Sequence, residues 1–137
     1  MDFGLYCGPK HPLFSADFKK LNLSDITQYP TVSTRYYSNR KEKTHDLGLK
    51  QTAIANDEEG IVMFIASNQY LGFLPNTYAK KFFLPKGLMK KVDISGSDFV
   101  CECDVILTRQ QKASILAETF IGILFDEAKK FKYTSHT

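Results

Sequence analysis

The chain has 137 residues, 43% hydrophobic and 24% charged, and 18 basic against 15 acidic residues leave a net charge of +3. That length suits one domain, whole or incomplete, and the composition is that of a folded soluble protein with no apolar run near the roughly 18 residues that span a bilayer. The basic pairs Lys19-Lys20, Lys80-Lys81, Lys90-Lys91 and Lys129-Lys130 are scattered, whereas a nucleic-acid footprint concentrates charge on one face, so they read as solvated lysines.

The opening MDFGLYCGPK has no basic leader, apolar stretch or small-residue cleavage site, which leads us to expect a cytoplasmic protein. Three cysteines are an odd count for a disulfide scaffold, and Cys7, Cys101 and Cys103 are expected to remain thiols. Phe3 to Cys7 reads as a short core strand stopped by Gly8-Pro9, with a turn from His11 to Phe14. Ser24 is placed to cap a short helix that ends before Pro30. Thr31 to Tyr37, rich in β-branched and aromatic residues, predicts a second strand, and polar Ser38 to Asp46 reads as an exposed loop or frayed helical turn contributing little core.

Gly48 to Ala55 suits a strand better than a helix. Asn56-Asp57 then caps a helix running to about Asn68, with Glu58 and Glu59 complementing its dipole and Ile61, Val62, Phe64 and Ile65 on a buried face. Tyr70 to Leu74 predicts an apolar strand ended by Pro75, followed by a brief helix through Lys81. This succession of strands and helices is that of a layered α/β domain with parallel pairing. After Gly87 the chain is extended from Met89 to Ile94, turns at Ser95-Gly96-Ser97, and continues as a longer strand from Asp98 to Thr108, with Cys101, Cys103 and Val105 on one face. Gln110 to Phe131 predicts a long amphipathic helix.

No constellation for catalysis emerges. The C-x-C of Cys101 and Cys103 sits inside a strand pattern rather than on the turn a zinc ligand pair occupies, so no metal is expected. Cys7 and His11 form no triad, His45 and His136 lie in polar segments, and no glycine-rich phosphate loop opens a helix, so no enzyme activity and no cofactor are expected. Ser33, Thr34, Arg35, Tyr36 and Tyr37 stand out instead, since hydroxyls, a guanidinium and aromatic rings at a strand end suit a small polar or anionic ligand. On the motif alone, an ordinary exposed strand end explains them as well.

Three segments read together, LYCGPKHPLF from Leu5 to Phe14, YPTVSTRYY from Tyr29 to Tyr37 and YLGFLPNTYA from Tyr70 to Ala79, resemble the C-terminal effector-binding domain of LysR-type transcriptional regulators. The resemblance implies a type 2 periplasmic-binding-protein fold, with two α/β lobes, a pair of crossing strands and an inducer in the cleft. Residues 1–137 would then be a partial effector-binding domain, with about 9–91 forming one Rossmann-like lobe, the second, and 99–133 a crossover strand plus the closing helix of the incomplete first. It also implies Ser33, Thr34, Arg35 and Tyr36 as ligand contacts, joined by Asn56. Such regulators begin with a winged helix-turn-helix that this sequence does not show, so DNA binding is expected only of a full-length protein. A homodimer through residues 110–131 is expected, because the stripe Ile115, Phe120, Ile123, Leu124 and Phe131 would lack its usual neighbours. The competing reading is a fragment of a solute-binding protein.

Overall fold

The computed structural model describes residues 1–35, 38–102, 104–109 and 114–134. They fall into two compact units, Met1–Glu102 and Cys103–Thr137. The first holds a six-stranded mixed sheet with central order β3-β2-β4-β1-β5, β6 pairing with β1. The strands are β1 (Asp2–Cys7), β2 (Pro30–Ser33), β3 (Lys50–Ile54), β4 (Leu71–Pro75), β5 (Lys90–Lys91) and β6 (Phe99–Val100). Helices α1 (Leu23–Ile26), α2 (Asn39–Asp46), α3 (Glu58–Ala66) and α4 (Asn76–Phe82) connect them, with α5 (Ile115–Thr134) in the second unit.

Strand β2 runs parallel to β3 and β4, so β2-α2-β3-α3-β4 is a doubly crossed α/β unit whose parallel strands end at one edge. Strand β1 is antiparallel to β4, β5 and β6, so it begins at the edge where the parallel strands end. The α/β class read from the sequence therefore stands, with antiparallel pairing added on one side.

Period-two alternation distributes the core over both faces of the sheet. Phe3, Leu5, Cys7, Leu71 and Phe73 join Leu13, Ile26 and Val92 in one cluster, while Tyr6, Val32 and Leu74 join Ile61 and Ile65 of α3 in the other. Burial pushes the Cys7 thiol up to about 11, the Lys90 charge opposing it only in part, which keeps this cysteine protonated and inert. The Tyr6 hydroxyl, raised to about 12 by burial and by Asp98, donates to Asn76 Oδ1 at 2.6 Å. Close packing of the turn after β1 requires Gly8, because a Cβ there would lie 2.5 Å from the Ile65 carbonyl oxygen.

Four local expectations are corrected. Asn22, not Ser24, stands at the N-cap of α1, in a capping box whose Asp25 carboxylate accepts from the Asn22 amide at 2.7 Å. Strand β2 stops at Ser33 rather than continuing to Tyr37, because Thr34 Oγ1 bonds Ser38 Oγ at 2.8 Å and the chain enters α2; Tyr36 and Tyr37 lie outside the described residues. The segment read as an exposed loop or frayed turn is the two-turn helix α2, capped by Ser38, and it buries Arg40 and Thr44. The long strand expected from Asp98 to Thr108 reduces to Phe99–Val100. Its ladder with β1 ends at Asp2, and a last pair of bonds joins Met1 to Cys101, beyond which no strand lies alongside among the described residues. Cys103 lies outside the described residues.

His11 caps the 3-10 turn at Pro12–Ser15, its Nδ1 accepting from the Leu13 amide at 3.1 Å, and its ring packs edge-on against Tyr29. Burial holds its pKa below the ordinary value. The native state thus binds this proton less readily than the unfolded chain, whose imidazole titrates near 6.5, and stability is lost as pH falls below about 6.5. Urea midpoints measured from pH 7.5 to 5 are expected to decline over this window in the parent and to flatten in His11→Asn, which keeps a capping acceptor. An identical decline in both proteins would assign the effect to another group.

Helix α5 exposes large apolar residues at three- and four-residue spacing, with Ile115 and Leu116 about 80% exposed and Phe120, Ile123, Leu124 and Phe125 also open. The side chain of Phe131 lies outside the described residues. No helix among the described residues is long and apolar enough to cross a membrane.

Candidate functional site

Because β2 and β3 are parallel, their carboxyl ends and the N-termini of α2 and α3 meet at one edge of the sheet, beside the start of β1. A cleft of about 190 Å³ opens there, lined by Phe3, Thr34, Ser38, Asn39, Arg40, Asn56, Asp57, Glu58, Phe99 and Cys101. The floor is aromatic: Phe3 of β1 and Phe99 of β6 stack with centroids 5.0 Å apart and planes 9° from parallel. The walls are the two helix starts, which present hydroxyl, amide and carboxylate groups.

Each wall is locally fixed. Ser38 Oγ accepts from the Lys41 amide at 3.3 Å at the head of α2, and Asp57 Oδ1 accepts from the Gly60 amide at 2.7 Å at the head of α3. Helix α2 is terminated after its C-cap Leu47 by Gly48, whose φ of +65° suits glycine, and the Leu49 amide returns to the Thr44 carbonyl at 3.0 Å. Between the walls runs an ion pair, with Arg40 Nη2 on Glu58 Oε1 at 2.5 Å. The Arg40 guanidinium also lies 5.0 Å above the Phe3 ring. Its side chain is only 9% exposed, against 36% for Glu58, and Arg40 Nε and Glu58 Oε2 are buried with no hydrogen-bond partner among the described residues.

The residues singled out in the sequence divide. Thr34 and Asn56 line the cleft. Ser33 is fully buried beneath it, receiving a 3.4 Å bond from the Thr44 hydroxyl. Arg35 is exposed outside the lining, its carbonyl accepting from Lys41 Nζ at 3.2 Å, and Tyr36 lies outside the described residues. Sequence reasoning missed Ser38, Arg40 and Glu58. Ser38 carries the usual N-cap signal, whereas its first-turn position accounts for the charge of Glu58 and nothing local links it to Arg40.

The architecture is that of an α/β lobe with a polar cleft at the carboxyl ends of its parallel strands, a place where this class of sheet holds ligands. In sequence, the chain is similar to the HTH-type transcriptional activator BauR of Pseudomonas aeruginosa, 20% identical over 117 residues that cover 85% of this chain. It is thus related, at low identity, to a LysR-type regulator, in keeping with the resemblance read from its motifs. The chain spans 38% of that regulator's length. Among solved structures it is similar to the L-cystine solute receptor of Neisseria gonorrhoeae in its unliganded open conformation, with a TM-score of 0.45 and 18% identity over 70% of this chain and 39% of that one. No family model matches the sequence.

Proposed function

We propose that the chain is a small-molecule sensing domain of a LysR-type transcriptional regulator, cytoplasmic and without catalytic activity, whose effector occupies the cleft between the heads of α2 and α3. The observation that carries this reading is the convergence of Thr34, Ser38 and Asn56 over the stacked Phe3 and Phe99, which gives hydrogen-bonding walls on an apolar floor. An effector held there shifts the population of conformers that the rest of a regulator reads, and DNA contact belongs to a separate domain of such a protein. Arg35, exposed and next in the chain to Thr34 of the lining, adds a guanidinium that can swing onto an acidic effector.

The test is thermal denaturation of the chain against a metabolite panel. Compounds that raise the melting temperature of the parent should do so markedly less in Asn56→Ala, and acidic ones less in Arg35→Ala. An equal rise in Arg35→Ala and the parent would remove Arg35 from the site, and an equal rise in both variants would move the site elsewhere.

The apolar face of α5 supports self-association through a second copy of this chain, with Phe120 and Ile123 at its centre. Equilibrium sedimentation at high micromolar concentration should show a dimer that Phe120→Glu converts to monomer. A monomeric parent would refute the assembly.

A further inference from the structure

The ion pair between the cleft walls is half satisfied. Among the described residues Arg40 Nε is a donor without an acceptor, Glu58 Oε2 is an acceptor without a donor, and the two belong to partners of one contact. Buried polar groups are normally matched, and each one left open is costly, so an unmatched pair facing a cleft is a position where a ligand gains what the protein lacks. A carboxylate can complete Arg40 and does nothing for Glu58. An ammonium can complete Glu58 and does nothing for Arg40. Both atoms are closed to solvent, so a ligand reaches them only as the pair turns toward the cleft, and one that matches a single partner leaves the other open.

Charge selects in the same direction. Among the described residues the lining carries one cation, Arg40, and two anions, Asp57 and Glu58, and Asp57 is already committed to the head of α3. A simple anion therefore meets excess negative charge, relieved only in part by the two helix N-termini, and a simple cation meets the guanidinium.

We infer that the effector is amphoteric, a small amino acid or amino-acid-like compound whose carboxylate engages Arg40 and the heads of α2 and α3 while its ammonium engages Glu58. This rests on the cleft reading above and narrows the ligand from polar or anionic to a compound bearing both charges. The Arg40–Glu58 contact then acts as the specificity determinant, opening only for a ligand that replaces both of its halves. The volume of about 190 Å³ admits a free amino acid rather than a longer peptide.

The test is a titration of the isotope-labelled chain, followed by amide resonances of Thr34, Asn39, Asn56 and Glu58, with two matched sets of probes. One set is L-valine, 3-methylbutanoate and isobutylamine; the other is L-serine, 3-hydroxypropanoate and ethanolamine. In at least one set the amino acid should bind with a Kd at least tenfold below both its deaminated and its decarboxylated counterpart. The double variant Arg40→Gln/Glu58→Gln, which leaves no lone buried charge, should stay folded and lose that preference. A carboxylate that binds as tightly as its amino acid, or a folded double variant that retains the preference, overturns the amphoteric assignment while leaving a sensing cleft intact. Failure of all six probes to bind also overturns it, and the metabolite panel then decides the sensing reading separately.

Discussion

Phe73→Ala should lower the stability of the first unit by roughly 3 to 5 kcal/mol, a substantial part of what holds a domain of this size together. Phe73 is fully buried at the centre of β4, directly opposite Leu5 of β1, and its ring meets Phe99 edge-on at 5.3 Å. Truncation leaves a void in a sheet that cannot close on it, because hydrogen-bonded strands fix both neighbours. The melting temperature should fall by about 12 °C or more, whereas Met63→Ala, at a residue 74% exposed on α3, should move it little. Since Phe99 also forms the cleft floor with Phe3, the same variant should weaken effector binding at temperatures where it remains folded. A loss below about 1 kcal/mol would show that this side of the sheet is not the packed core described here.

The second large effect is an asymmetry across the Arg40–Glu58 pair. Glu58→Leu strands a guanidinium whose side chain is 9% exposed, and should cost about 3 kcal/mol, near the lower end for a broken buried pair. Arg40→Leu leaves a carboxylate that is 36% exposed and can turn to water, and leucine retains the packing against Phe3, so it should cost about 1 kcal/mol. Urea unfolding of both single variants decides it. Equal losses would mean that the two side chains are equally sealed, and a more damaging Arg40→Leu would reverse the burial order of Arg40 and Glu58.

What the sequence made legible followed from periodicity and from punctuation. The run Leu71 to Leu74 before Pro75, the Asn56-Asp57 head of α3 and the Phe3 to Cys7 strand each carried an apolar pattern with a stop signal, and each element is present within a residue or two. Helix α2 was hidden because it has no apolar stripe. Its buried face consists of Arg40 and Thr44, four residues apart, and only the Ser38 cap and Gly48 marked its limits. The strand after Asp98 misled for the opposite reason: alternation in Cys101, Glu102 and Asp104 satisfied a local template, but strand formation needs a neighbour, and β1 offers one only as far as its first residues.

The candidate site was legible in its backbone frame and obscure in its side chains. A strand end rich in hydroxyls located Thr34, and the head of a helix located Asn56, since both positions follow from parallel strands ending at one edge. The pair Arg40–Glu58 joins residues eighteen apart on two helices, and no local rule couples them. Arg35, the most conspicuous charge in the motif, lies outside the lining because β2 ends two residues before it.

Amide hydrogen exchange of the chain, with and without a compound that raises its melting temperature, tests most directly whether the cleft is a sensing site. Slowed exchange is expected in the first turns of α2 and α3 and at Thr34 and Asn56, with β3 and α5 little changed. Protection confined to residues 115–134, or spread evenly over the sheet with none at the two helix heads, would contradict it.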